Sequence, residues 1–127
     1  MKQIVVDTNA FLRFLLNDIP EQKRTFEKLL QEAADSRVRL VVAQIVIFEI
    51  DFILEKYYQF EKDVVIDKLK TLVSVHYLDI ESREIFVGAL MLYEVEDISF
   101  VDCFLAVKAK SEGKELFTFD KKLRKLN

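Results

Sequence analysis

At 127 residues, with 51% hydrophobic and 32% charged side chains, the chain has apolar material for one real core and too little length for two. That balance excludes a disordered chain, and two Gly and one Pro leave little room for loops. A net charge of −3 argues at first against a nucleic-acid partner, but the argument weakens if several acids bind cations, and Lys121–Lys125 (KKLRK) concentrates positive charge near the last of them.

In chain order, Gln3–Val6 is a short β-branched apolar run and reads as a buried strand. Thr8–Leu16 reads as a helix. Its apolar stretch is broken by Asp7, Asn9 and Arg13, which excludes a signal-peptide core and a membrane span and leads to the expectation of a cytoplasmic chain. Asp18 and Pro20 punctuate the entry to a second helix over Glu21–Ala34, with Pro in its first turn. Val38–Val42 is expected as a strand, Gln44–Tyr57 and Lys62–Val73 as helices, Val75–Leu78 as a strand, and Arg83–Tyr93 and Ser99–Lys110 as helices. The last of these carries Lys108 and Lys110 in its final turn and Gly113 just beyond it, a normal helix ending. Leu116–Phe119 reads as the closing strand, and KKLRKL as a short terminal helix. The repeated strand-then-helix order implies a single domain over residues 1–127: an α/β, three-layer α/β/α sandwich with a mostly parallel central sheet. Cys103, the one cysteine, reads as a buried core thiol in a reducing compartment.

Open parallel sheets bind ligands at the carboxyl ends of their strands. Asp7 ends the first strand and Asp120 the last expected one, so both are placed on the same edge. Glu49 has Val42, Ile45, Val46, Phe52 and Ile53 at helical spacing and is read as an acid inside an apolar stripe. Asp51, about 200° round the wheel, is read as the surface acid. The helix FVDCFLAVKA is apolar nearly all round and is expected to be buried, with Asp102 above Leu105, Ala106 and Ala109. Each acid has a plain structural explanation. Ser99 and Asp102 fit a capping box, Asp120 and Asp7 fit helix caps, and Glu49 could pair with a distant cation. Jointly, one divalent-cation site accounts for all four, and a donor set of oxygens without His or Cys suits Mg²⁺ or Mn²⁺.

The motifs together resemble the PIN-domain family, in its VapC-type branch of toxin–antitoxin ribonucleases. VVDTNAFLRFLL is similar to the family's strand–Asp–helix opening, with Asp7 and Asn9 at its polar positions. Glu49 in IVIFEIDFIL matches the second acid, SFVDCFLAVKAKSEG places Asp102 at the third, and LFTFDKKL looks like the closing motif with Thr118 and Asp120. Many relatives carry a further acid where this chain has Ser99. The resemblance implies metal-dependent hydrolysis of RNA, with Asp7, Glu49 and Asp102 as direct or water-mediated ligands. Asp120 would hold a second metal or orient the water. Thr8, Asn9, Ser99 and Thr118 would support the carboxylates, and Arg13, Lys121, Lys122 and Arg124 would meet RNA phosphates. It also implies an antitoxin partner and a homodimer, with Phe11, Phe14, Ile47 and Phe48 as groove residues; the alternative for those four is the core or the dimer interface. His76 is expected to be structural. A housekeeping RNA-processing nuclease and a non-catalytic binding module on the same fold are the rival readings. An aspartyl-phosphate enzyme is disfavoured, because the sequence after Asp7 lacks a second acid two residues on.

Overall fold

The computed structural model describes residues 1–126. Three strands, β1 (Lys2–Val5), β2 (Val38–Val42) and β3 (Leu78–Ile80), form one parallel sheet in the order β1-β2-β3. Lys2 pairs with Val38 and Leu40 with Leu78, so the three carboxyl ends lie along one edge. Alternation explains which face turns inward: Val38, Leu40, Val42, Leu78 and Ile80 enter the core. On the other face Arg39 reaches across to Asp79 at 2.7 Å.

The helices are α1 (Thr8–Leu16), α2 (Pro20–Ala34), α3 (Gln44–Phe52), α4 (Lys62–Val73), α5 (Arg83–Val95), α6 (Phe100–Ser111) and α7 (Lys121–Arg124). With the sheet they make the expected α/β sandwich. Helix α3 is the hub, packing against α1, α4 and α6. Its inward residues Val46, Ile47 and Ile50, with Leu54 beyond, follow the helical period. Phe48 lies edge-on to Phe86 and Phe104, and α5 approaches α6 so closely at Gly88 that an added Cβ would stand 2.9 Å from Val107. No helix among the described residues is long and apolar enough to cross a membrane.

Several sequence expectations need correction. The helix expected over Gln44–Tyr57 is α3 followed by a π-helical turn at Ile53–Tyr57. The third strand starts at Leu78 rather than Val75. The Arg83 guanidinium donates to the carbonyls of Val73, Val75 and Leu78, holding residues 75–77 in a turn that closes with Leu78 N–H on Val75 O. Leu116–Phe119 is not a strand. Thr118 Oγ1 accepts from the Asp120 N–H, and Thr118 O accepts from Arg124 Nε at 2.9 Å, so local bonds that set up α7 replace a ladder. Phe117 and Phe119 stand 84% and 79% exposed, and β1 remains an edge strand. Helix α6 buries only Phe100, Cys103 and Phe104; Val101 and Leu105 face solvent, so it is not enclosed all round.

Candidate functional site

The site begins where β1 ends. Asp7 is extended (φ −85°, ψ 170°) and caps α1, its Oδ1 accepting the Ala10 N–H at 3.0 Å. The next residue, Thr8, is buried, and its hydroxyl donates to Glu49 Oε1 on α3. Parallel pairing of β1 with β2 puts the starts of α1 and α3 on the same edge, and the Thr8 hydrogen bond then fixes Glu49 beside the Asp7 segment. Glu49 is thereby tied to the residue that follows Asp7.

Asp102 sits half-buried in the first turn of α6. Its N–H donates to Ser99 Oγ at 3.1 Å, so the capping reading of this pair is correct. Helix α6 lies against α3 through Phe48, 5.7 Å from Phe100 and 4.8 Å from Phe104 between ring centroids. Asp120 is exposed and caps α7, with Oδ1 accepting the Leu123 N–H at 2.8 Å. Among the described residues no three His, Cys, Asp or Glu side chains gather to hold a metal ion.

The basic residues are partly committed. Lys122 pairs with Asp97 at 2.6 Å, which lowers the Asp97 carboxyl below the usual range and raises the Lys122 ammonium. Arg124 is turned onto Thr118 O, and Arg13 stands 3.4 Å from Asp18 with its Nε buried and unpartnered. Asn9 and Arg13, one turn apart on α1, line a cleft of about 750 Å³ between α1 and α2. Lys121 is exposed.

Two readings of α3 are reversed by the structure. Glu49 is exposed, whereas Asp51 is the buried acid at 7% exposure. The inward face runs through Ile47, Ile50 and Leu54, the positions four before, one before and three after Asp51. Burial pushes the Asp51 carboxyl up to about 8, assisted by its hydrogen bond to Glu55 and that neighbour's charge, with Lys56 opposing. Glu55 also accepts from Tyr93 OH at 2.6 Å, and burial raises that phenol. Asp51 Oδ1 has no partner. The helical period contained this signal, but the buried acid was sought two positions too early. The proposed groove residues Phe11 and Ile47 are fully buried, and Phe14 and Phe48 pack on the same core. Of the two readings for these four, the core is the one the structure supports.

Asp7 two residues beyond β1, the helix α1 that it caps, and Glu49 tied back to Thr8 together make the polar edge of a PIN-type α/β sandwich. The PIN domain family model matches residues 4–127, and the chain belongs to that family. It is also similar to the VapC ribonuclease of Aquifex aeolicus (strain VF5), at 29% identity over 123 residues, covering 96% of this chain and 90% of that protein.

Proposed function

We propose that the chain is a metal-dependent endoribonuclease, the toxin of a toxin–antitoxin pair, acting at the edge formed by Asp7, Thr8 and Glu49. The observation that carries this is the Thr8–Glu49 hydrogen bond, which holds a carboxylate from α3 beside the acid that ends β1 in a PIN fold. A relative of nearly the same length bearing the name VapC ribonuclease supports the same reading.

The donor set fits Mg²⁺ or Mn²⁺. These are hard cations that take oxygen ligands, and Mg²⁺ keeps several waters and uses only one or two carboxylates together with substrate phosphates. A cage of three protein carboxylates is therefore not required, and Asp7 with Glu49 supplies the minimum. The bound ion would offset phosphate charge and make an attacking water more acidic. The chain's own residues do the remainder. Thr8 fixes the Glu49 carboxylate, and Asp7 keeps its cap through Oδ1, which leaves its second oxygen outside the cap. Asp102, on the helix α6 that packs against α3, would be a further acid able to orient the water or accept its proton. Asp120 belongs to the proposed set on its position in the sequence alone. Lys121 is assigned to RNA phosphates, whereas Arg13, Lys122 and Arg124 must first release Asp18, Asp97 and Thr118. A homodimer and an antitoxin are the expected protein partners.

Incubation of the purified protein with single-stranded RNA tests this. Cleavage should appear with Mg²⁺, stop with EDTA, and be lost in Asp7→Asn and Glu49→Gln. Cleavage indifferent to EDTA, or unaffected by both substitutions, overturns the assignment. Expression in a host should slow growth, with relief by Asp7→Asn or by the neighbouring small gene; harmless expression of an RNA-cleaving protein removes the toxin role.

A further inference from the structure

Helix α3 exposes two large apolar side chains that the core does not use. Ile45 is 70% exposed and Phe52 61% exposed. They stand four residues before and three after Glu49, and Lys56, also exposed, follows Phe52 by one turn. On α6, Val101 and Leu105 are 48% and 41% exposed, each one residue beyond a phenylalanine that meets Phe48 of α3. Exposed apolar side chains on two packed helices mark an interaction face. The charges on α3 say what it fits. Glu49 accepts from Thr8, and Lys56 makes no hydrogen bond or ion pair among the described residues. Along the helix axis Glu49 lies about 4.5 Å before Phe52 and Lys56 about 6 Å after it. Two copies of α3 crossing antiparallel at Phe52 therefore bring each Glu49 level with the partner's Lys56, and set Phe52 against the partner's Phe52. An acid, an aromatic and a base in this order complement their own reverse, which is what a two-fold interface requires, since one patch serves both sides.

We propose that the chain forms a two-fold dimer through the Ile45–Phe52 face of α3, and that Lys56 of each copy reaches the Glu49 carboxylate of the other. Charge favours a second copy over an unrelated apolar face, which would bury that carboxylate without compensation. The interface stands on the surface alone; the use of Lys56 at the site rests on the ribonuclease reading. There the partner's Lys56 sets an ammonium beside a carboxylate that would otherwise repel the RNA backbone, and it can turn to a substrate phosphate. Each site thus borrows one cation from the second chain, and a monomer holds only part of the machinery.

Sedimentation equilibrium of the purified protein tests the interface, with circular dichroism of each variant to establish that it is folded. Wild type should be a dimer. Lys56→Glu sets acid against acid and should weaken self-association about tenfold or more, as should Phe52→Ala. The double variant Glu49→Lys with Lys56→Glu exchanges the two charges and should restore the dimer. A monomeric wild type, a dimer indifferent to Phe52→Ala, or a double variant no tighter than Lys56→Glu overturns the interface. Co-expression of two variants tests the shared site. Lys56→Ala and Glu49→Gln should each cleave RNA poorly alone, whereas together they should recover about a quarter of wild-type cleavage, because about half the dimers are mixed and a mixed dimer has one complete site. No recovery removes Lys56 from the site. No cleavage by the wild type overturns the ribonuclease reading and the shared site with it, and the sedimentation result then decides the dimer by itself.

Discussion

Replacing Asp51 by Asn should stabilise the protein, and by more at higher pH. In the folded chain the Asp51 carboxyl is pushed from 3.8 to about 8, mainly by burial and then by Glu55. Below pH 4 the folded and unfolded chains both hold the proton, and the residue costs nothing. Between 4 and 8 the folded chain retains a proton that the unfolded chain has released, so stability falls as pH rises; above 8 the cost is complete. At pH 7 the linkage amounts to about 4 kcal/mol as a ceiling. Glu55, whose charge opposes ionisation of Asp51, is only half-buried, so solvent screens part of the cost. A working value is about 2 kcal/mol, or roughly 8 °C in Tm for a chain of this size. Asn keeps the shape, has no charge to lose, and can still donate to Glu55. Thermal melts of wild type and Asp51→Asn in EDTA, from pH 4.5 to 8.5, provide the assay. The two curves should lie closest at pH 4.5 and separate steadily from there to about pH 8. A constant gap, or a mutant less stable than wild type at pH 8, would refute the buried-proton account. The variant should still cleave RNA, since Asp51 faces the core rather than the Glu49 line.

Thr8→Val preserves volume but removes the donor that fixes Glu49; cleavage should fall about 10- to 100-fold with little change in Tm, and wild-type activity in this variant would detach Thr8 from the site. Gly88→Ala should cost about 1–3 kcal/mol in urea unfolding, because its new Cβ meets Val107 Cγ1 at 2.9 Å. Val107→Ala in the same chain should recover part of that loss, and strictly additive losses would mean the two helices separate freely.

Much of the fold was legible because its signals are local. A β-branched run, a capping acid and a following apolar helix identify β1, Asp7 and α1. Pro20 marks α2, and Lys108, Lys110 and Gly113 mark the end of α6. What escaped depends on competition between local and distant bonds. LFTF is apolar and aromatic enough for a strand, but Thr118 and Asp120 are both engaged in starting α7. Apolar residues recur from Val75 to Ile80 without a clear start, and the three carbonyls gathered by Arg83 set where β3 begins. On α3 nearly every residue is apolar, so the wheel offers little contrast. Ile45 and Phe52 face solvent although they counted as evidence for a buried Glu49.

That reversal changes what supports the cation site. Four acids in apolar settings would have demanded a common partner, because isolated buried charge is costly. In the structure Asp7, Glu49 and Asp120 are exposed and Asp102 is half-buried, so burial makes no such demand. The one acid that burial does trouble, Asp51, answers it by holding a proton. The case for the site rests instead on placement. Helix capping occupies one oxygen of Asp7 and leaves the other unused by the cap, so a cap and a ligand are compatible in one side chain. The cap also fixes the carboxylate at the carboxyl edge of the sheet, and the next residue, Thr8, holds Glu49. The bonds that start α1 and tie it to α3 are therefore compatible with the proposed site, one fixing Asp7 and the other Glu49.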